Sequence, residues 1–293
     1  MPPIPRHDRY AYSALPDRPD FDWPEGRRLA VYLGMNLECF AFGAGLGAEL
    51  APGGPQPDVL NFAWRDYGNR VGAWRLLELF DRLELPATVL ANSLLYDEAP
   101  GLIEAFRARG DEIAGHGRTN AERQGILSEA EERALIEEAT RVLTVREGRA
   151  PKGWLGPWIS QSHVTPDLLQ EAGYEYLLDW CHDDQPVWMA TRAGRILSVP
   201  YPQELNDIPQ IVGRKREGAE FADMICDAFD VVLEESTRRP LVMGIALHGY
   251  IMGQPHRAKH LDRALRHMRE TGGSAVWWTT AGRINDHYRS LGL

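Results

Sequence analysis

Short apolar blocks alternate with amphipathic stretches along most of the chain. Residues 27–36 (RRLAVYLGMN) form an apolar run opened by charge, which predicts a buried strand. The same reading applies to 86–92 (PATVLAN), 111–116 (DEIAGH), 174–180 (YEYLLDW), 195–201 (RILSVPY), 240–250 (PLVMGIALHGY) and 274–278 (SAVWW). Between these runs the apolar spacing becomes three and four. From Asn69 onward Val71, Trp74, Leu77, Leu79 and Phe80 share a face, and within 98–109 Leu102, Ile103 and Phe106 do. Ser128 with Glu131 is a capping-box signature for a helix to about Glu147. Thr165 and Pro166 open another, which stops at Gly173. Helices are also expected over 218–236 and 256–271, with Thr279 or Thr280 capping a last one. Residues 41–60, rich in Gly and Pro, predict a long loop. Residues 1–28 predict an arm packed on the domain, with a frayed tail as the alternative.

Alternating strand and helix predicts parallel strands joined by right-handed crossovers. Roughly seven such units imply one α/β domain over 29–293, a (β/α) barrel of about seven strands. An open doubly wound sheet is the alternative architecture. No GxGxxG follows the first strand, which counts against a dinucleotide-binding version.

Composition narrows the function. Over 293 residues, 32 Lys and Arg face 42 Asp and Glu, a formal net charge of −10. That balance argues against nucleic acid or an anionic membrane as partner. No apolar run approaches the ~20 residues of a membrane span, and MPPIPRHDRY has no apolar core of a secretory signal. Cys39, Cys181 and Cys226 show no CxxC spacing and read as reduced thiols of a cytoplasmic protein.

In parallel α/β folds chemistry gathers beyond the C-terminal strand ends. The residues expected there are Asn36, Glu38 and Cys39; Asn92 and Ser93; His116 and Asn120; Trp154 and Trp158; Asp183 and Asp184; Tyr201, Asn206 and Asp207; and His248. Glu38 directly after an apolar strand, His116 between two glycines and His248 at the end of the most apolar strand point to catalysis. No GxSxG elbow, Walker loop or HExxH motif is present.

The motif order resembles the polysaccharide deacetylase superfamily (NodB homology, carbohydrate esterase family 4), nearest to its allantoinase-like and cyclic imide hydrolase-like branch. The resemblance is carried by NLEC at 36–39, WRDYGNRVGAWR at 64–75, GHGRTN at 115–120, GWLGPW at 153–158, DDQPVW at 183–188, PYPQELND at 200–207 and ALH at 246–248. It implies a NodB-like distorted barrel. Where the sugar deacetylases carry TFDD and HxxxH, this chain has Glu38 at the base position, and Cys39 and Asn120 at two of three metal-ligand positions. The resemblance therefore implies hydrolysis of non-peptide carbon–nitrogen bonds in a small linear or cyclic substrate.

Glu38 is the expected general base, its pKa raised toward neutrality by burial. His116 or His248 is expected to act as acid or oxyanion stabiliser. Arg70, Asn120, Trp154, Trp158, Asp183, Asp184 and Asn206 are expected to bind substrate. No cofactor is required in the first reading. A divalent metal such as Zn²⁺ on His116 with Glu38 or Asn120 is the alternative. The competing functions are a metal-dependent sugar N-deacetylase and a catalytically degenerate binding protein. Relatives of this branch imply a homo-oligomer, a dimer or tetramer.

Overall fold

The computed structural model describes residue 4, residues 6–43 and residues 47–293. Residues 1–3 and 5 of the expected arm and 44–46 of the expected long loop lie outside the described residues. Among the described residues nine strands form one sheet: β1 (Leu29–Leu37), β2 (Ala87–Ala91), β3 (Glu112–Gly115), β4 (Gly153–Trp154), β5 (Tyr176–Leu177), β6 (Val187–Thr191), β7 (Gly194–Ser198), β8 (Leu241–His248) and β9 (Val276–Thr279). The order is β6-β7-β5-β4-β3-β2-β1-β8, and β9 also pairs with β1. All pairings are parallel except the β6–β7 hairpin. The strand count thus exceeds the expected seven. The extra elements are β4, only two residues long, and β6, whose short run VWMA is only partly buried.

The sheet curls toward closure. Beyond β7 the chain runs back along β8, and Asn206 bridges Ala246 in parallel. All nine residues of β1 and all eight of β8 are buried. This explains why both read as near-continuous apolar runs: parallel strands covered on both faces have no solvent side to mark with polar residues.

Helices cover the outside: α1 (Val59–Tyr67), α2 (Ala73–Arg82), α3 (Leu95–Glu98), α4 (Pro100–Ala108), α5 (Glu129–Glu147), α6 (Thr165–Glu171), α7 (Gly218–Ser236), α8 (Pro255–Gly272) and α9 (Ala281–Ser290). The Ser128–Glu131 capping box is present, and Thr280 caps α9. Thr165 does not cap α6; its hydroxyl donates to Glu132 instead. Helix also starts earlier than the periodicity suggests. The α1 segment begins at Val59 with Asp58 as its cap, and a π-helical turn at Gly68–Gly72 links it to α2. Residues 64–70 (WRDYGNR) are therefore wholly helical.

That π turn brings the helix against the segment after β8. A Cβ on Gly72 would lie 1.9 Å from the Gly249 carbonyl oxygen, and one on Gly249 2.9 Å from the Ala73 nitrogen. Only glycine permits this approach.

Residues before β1 strap the barrel. Arg9 makes a paired contact with Asp167 and its carbonyl accepts from Ala190 of β6, while buried Trp23 donates to the Leu241 carbonyl. Among the described residues no helix is long and apolar enough to cross a membrane.

Candidate active site

Four adjacent strands deliver the central residues. Register places Asn36 of β1 opposite His248 of β8, Leu37 opposite Ala91, and Ala91 opposite Gly115. Each strand then ends, and the next residue turns polar: Glu38 after β1, Asn92 after β2, His116 after β3. His248 is itself the last residue of β8. Side chains distant in sequence so meet at one rim.

Glu38 is 5% exposed and meets four polar side chains. Asn120 Nδ2 lies 2.5 Å from Oε1, and the Tyr250 hydroxyl donates to Oε2 at 2.9 Å. The Nε2 atoms of His116 and His248 both lie 3.4 Å from Oε1. His116 Nδ1 sits 2.7 Å from the Leu155 carbonyl. A carbonyl only accepts, so Nδ1 carries hydrogen and Nε2 faces the pocket. His248 is held from behind by Asp207, whose Oδ1 lies 2.6 Å from Nδ1 and whose Oδ2 accepts the His248 backbone N–H at 2.8 Å.

These contacts set the charges. Burial alone pushes the Glu38 carboxyl up, but the charge of His248 and the close approach of both imidazoles outweigh it and hold the group well below the ordinary carboxylate range. The expected upward shift is therefore reversed: the strand's apolarity is visible in the sequence, the two imidazoles across the barrel are not. Burial works to lower the His248 imidazolium, yet Asp207 and Glu38 raise it to about 10. At neutral pH the pair is carboxylate and imidazolium.

Asn120 has a defined polarity. Asn92 Oδ1 accepts the Cys39 N–H at 2.8 Å, and Asn92 Nδ2 donates to the His116 carbonyl and, at 3.0 Å, to Asn120 Oδ1. Backbone groups fix Asn92, Asn92 fixes Asn120, and the Asn120 amide N–H is left pointing at Glu38.

That arrangement bears on the metal the resemblance implies. Asn120 offers an N–H where a ligand must offer a lone pair. Burial pushes the Cys39 thiol up to about 12, so a neutral thiol stands at the other substituted position. Among the described residues no group of three or more His, Cys, Asp or Glu is placed to hold a metal ion. The donor set here does not fit a divalent metal: the Asn120 amide donates to Glu38, and the Cys39 thiol is neutral.

The rim encloses a pocket of about 150 Å³ lined by Glu38, His116, Asn120, Trp158, Asn206, His248, Tyr250 and their neighbours. Drug-sized sites run ~300–1,000 Å³, so this one suits a ligand of single-ring size. Trp158 and Ile159 both line it with positive φ, 67° and 53°. Left-handed backbone at two successive non-glycine residues marks strain of the kind concentrated at ligand sites. Trp158 Nε1 donates to the Asn120 carbonyl at 2.9 Å.

Four expected substrate contacts lie elsewhere. Trp154 is fully buried in the core against Tyr174. Arg70 has its side chain 73% exposed, 3.8 Å from Asp66, and lines a neighbouring cleft with Glu38 and Cys39 rather than this pocket. Asp183 is paired with Arg18 of the N-terminal strap at 2.5 Å. The Asp184 carbonyl accepts from Val242 near the start of β8, the opposite end of that strand from His248. Conversely, Tyr250 and the partner role of Asp207 were not foreseen. A polar residue two positions past a catalytic strand end was the available signal for Tyr250.

A sequence profile for polysaccharide deacetylases matches residues 59–177. A solved structure from Pseudomonas aeruginosa PAO1, described as a probable polysaccharide deacetylase, is 30% identical, with 94% of this chain and 95% of that chain covered and a TM-score of 0.81. The chain belongs to the polysaccharide deacetylase superfamily. Other members include the structure of PuuE allantoinase, 29% identical over 93% of this chain and 94% of that one, with a TM-score of 0.80. A Schizosaccharomyces pombe protein that carries a polysaccharide deacetylase name is 27% identical over 277 residues, 88% of this chain and 85% of its own. Like its polysaccharide deacetylase relatives, the chain is an amide hydrolase by class.

Proposed function

We propose that this chain hydrolyses a carbon–nitrogen amide bond in a small linear or cyclic substrate, in the manner of an allantoinase or imidase, with no metal required. The observation that carries this reading is the Glu38 carboxylate held between two imidazoles, with the Asn120 amide N–H beside it. The pocket's single-ring size and the likeness to PuuE allantoinase support it.

Glu38, ionised at every pH above the acid range, takes a proton from water as its oxygen attacks the substrate carbonyl carbon. The Asn120 amide N–H borders the site where negative charge develops, with His116 beside it. The carbon–nitrogen bond then breaks, and the His248 imidazolium delivers its proton to the departing nitrogen. The proton on Glu38 returns to His248. The products are a carboxylate-bearing fragment and an amine or urea nitrogen, so one water is consumed per bond.

The test is a panel of lactams, imides, ureides and N-acetyl sugars, followed by NMR for bond cleavage. Opening of small amide rings by metal-free protein is the expected result. Cleavage confined to N-acetyl sugars, and dependent on added Zn²⁺ or Co²⁺, overturns the proposal.

A further inference from the structure

Three side chains that line the pocket keep one hydrogen-bonding valence open among the described residues, and all three residues are more than nine-tenths buried: Asn36 is 3%, Tyr201 4% and Asn206 6% exposed. Asn36 Nδ2 donates to the Tyr201 oxygen at 3.0 Å and faces the Leu247 carbonyl at 3.4 Å. Both amide hydrogens are thereby used, and Asn36 Oδ1 accepts nothing. Tyr201 receives the Asn36 hydrogen, so its own hydroxyl hydrogen is left to donate. Asn206 Oδ1 accepts the Ile208 N–H at 3.1 Å, which leaves its amide N–H group open. Three open valences in one pocket mark where a ligand completes them.

We propose that Asn36, Tyr201 and Asn206 are the specificity-determining edge of the site: Tyr201 and Asn206 each donate to a carbonyl oxygen of the substrate, and Asn36 Oδ1 accepts its N–H. This rests on the amide-hydrolase reading above and deepens it. The complementary group is a planar –CO–NH–CO– unit within a ring. A lactam or an N-acetyl sugar offers one carbonyl and leaves a buried donor unmet, and sites built around hydrogen bonds reject such analogues strongly.

Binding is measured by calorimetry with Glu38→Gln in every arm, so that no ring opens during titration. The probes are hydantoin, 3-methylhydantoin, 2-pyrrolidinone and N-acetylglucosamine. Hydantoin is expected to bind at least tenfold more tightly than the other three. Tyr201→Phe and Asn206→Asp are each expected to weaken hydantoin about tenfold and 2-pyrrolidinone less. Tyr201→Phe keeps the ring's shape, and Asn206→Asp keeps the acceptor for Ile208; circular dichroism confirms that both fold. Failure of hydantoin to bind, N-acetylglucosamine binding as tightly, or an unchanged hydantoin affinity in Tyr201→Phe overturns the assignment. Binding as expected, with no hydrolysis by the unsubstituted enzyme, overturns the hydrolase reading instead and leaves the recognition edge standing.

Discussion

Asp207 grips His248 twice, once at ring Nδ1 and once at its backbone N–H. A single buried carboxylate thus fixes the ring's orientation and charge. Asp207→Asn keeps an acceptor for the backbone but removes the charge that, with Glu38, lifts the imidazolium to about 10. The alkaline limb of the pH–rate profile should move from near pH 10 toward neutrality, with kcat falling about 10²-fold. An unmoved alkaline limb would show that His248 does not carry the transferred proton.

The same shift has a stability counterpart. The folded imidazolium is raised above its ordinary value of 6.5, so its contribution is complete below about pH 6.5 and is lost as pH rises through about 10. Denaturant titrations across that window should show stability declining with pH. In His248→Gln that decline should largely vanish.

Glu38→Gln should lower turnover by about 10²-fold or more, since the neutral amide cannot accept the proton from water. Because the carboxyl is held below its usual range, activity should show no acid limb between about pH 5 and 8. Full activity of Glu38→Gln would remove it from the base role.

Chelation supplies an independent check. Prolonged treatment with a strong chelator, followed by elemental analysis and assay, should leave the rate on a small amide unchanged. The reasons are the neutral Cys39 thiol and the Asn120 N–H turned toward Glu38. A rate abolished by chelation and restored by Zn²⁺ would mean Asn120 reorients.

Asp179 lies behind the strained Trp158 turn. Its Oδ1 accepts the Gly156 N–H at 2.7 Å while Oδ2 has no partner among the described residues, and burial raises the carboxyl to about 7. A carboxyl raised on folding contributes stability at low pH that is lost as pH rises through about 7. Asp179→Asn, a neutral near-isostere, should therefore raise Tm at pH 8 by several degrees and by much less at pH 5.

The legible part of this fold is its buried centre. Strands β1 and β8 are apolar over almost their whole length, so the polar residues at their ends stand out: Glu38 just past β1 and His248 as the last residue of β8, while His116 follows β3 between two glycines. Strand β4 is too short to show a period, and β6 is an edge strand whose VWMAT run is only partly buried. Trp154 and Trp158 stand four residues apart in one motif, yet one is core and the other pocket wall, a difference made by the backbone reversal at Trp158. Asp183 resembled a site acid but is matched to Arg18, 165 positions away in sequence. The direction of the Glu38 shift was illegible for the same reason: its cause is charge brought across the barrel.

The π turn between α1 and α2 touches the site from two sides. Its Asn69 donates to the Glu38 carbonyl at 2.7 Å, and its Gly72 abuts Gly249, next to the Tyr250 whose hydroxyl meets the Glu38 carboxylate. One extra residue in a helical turn therefore works as a caliper, gauging the spacing between the end of β1 and the end of β8. A methyl group added at Gly72 spreads its jaws and separates proton donor from carboxylate without altering any residue that handles the substrate.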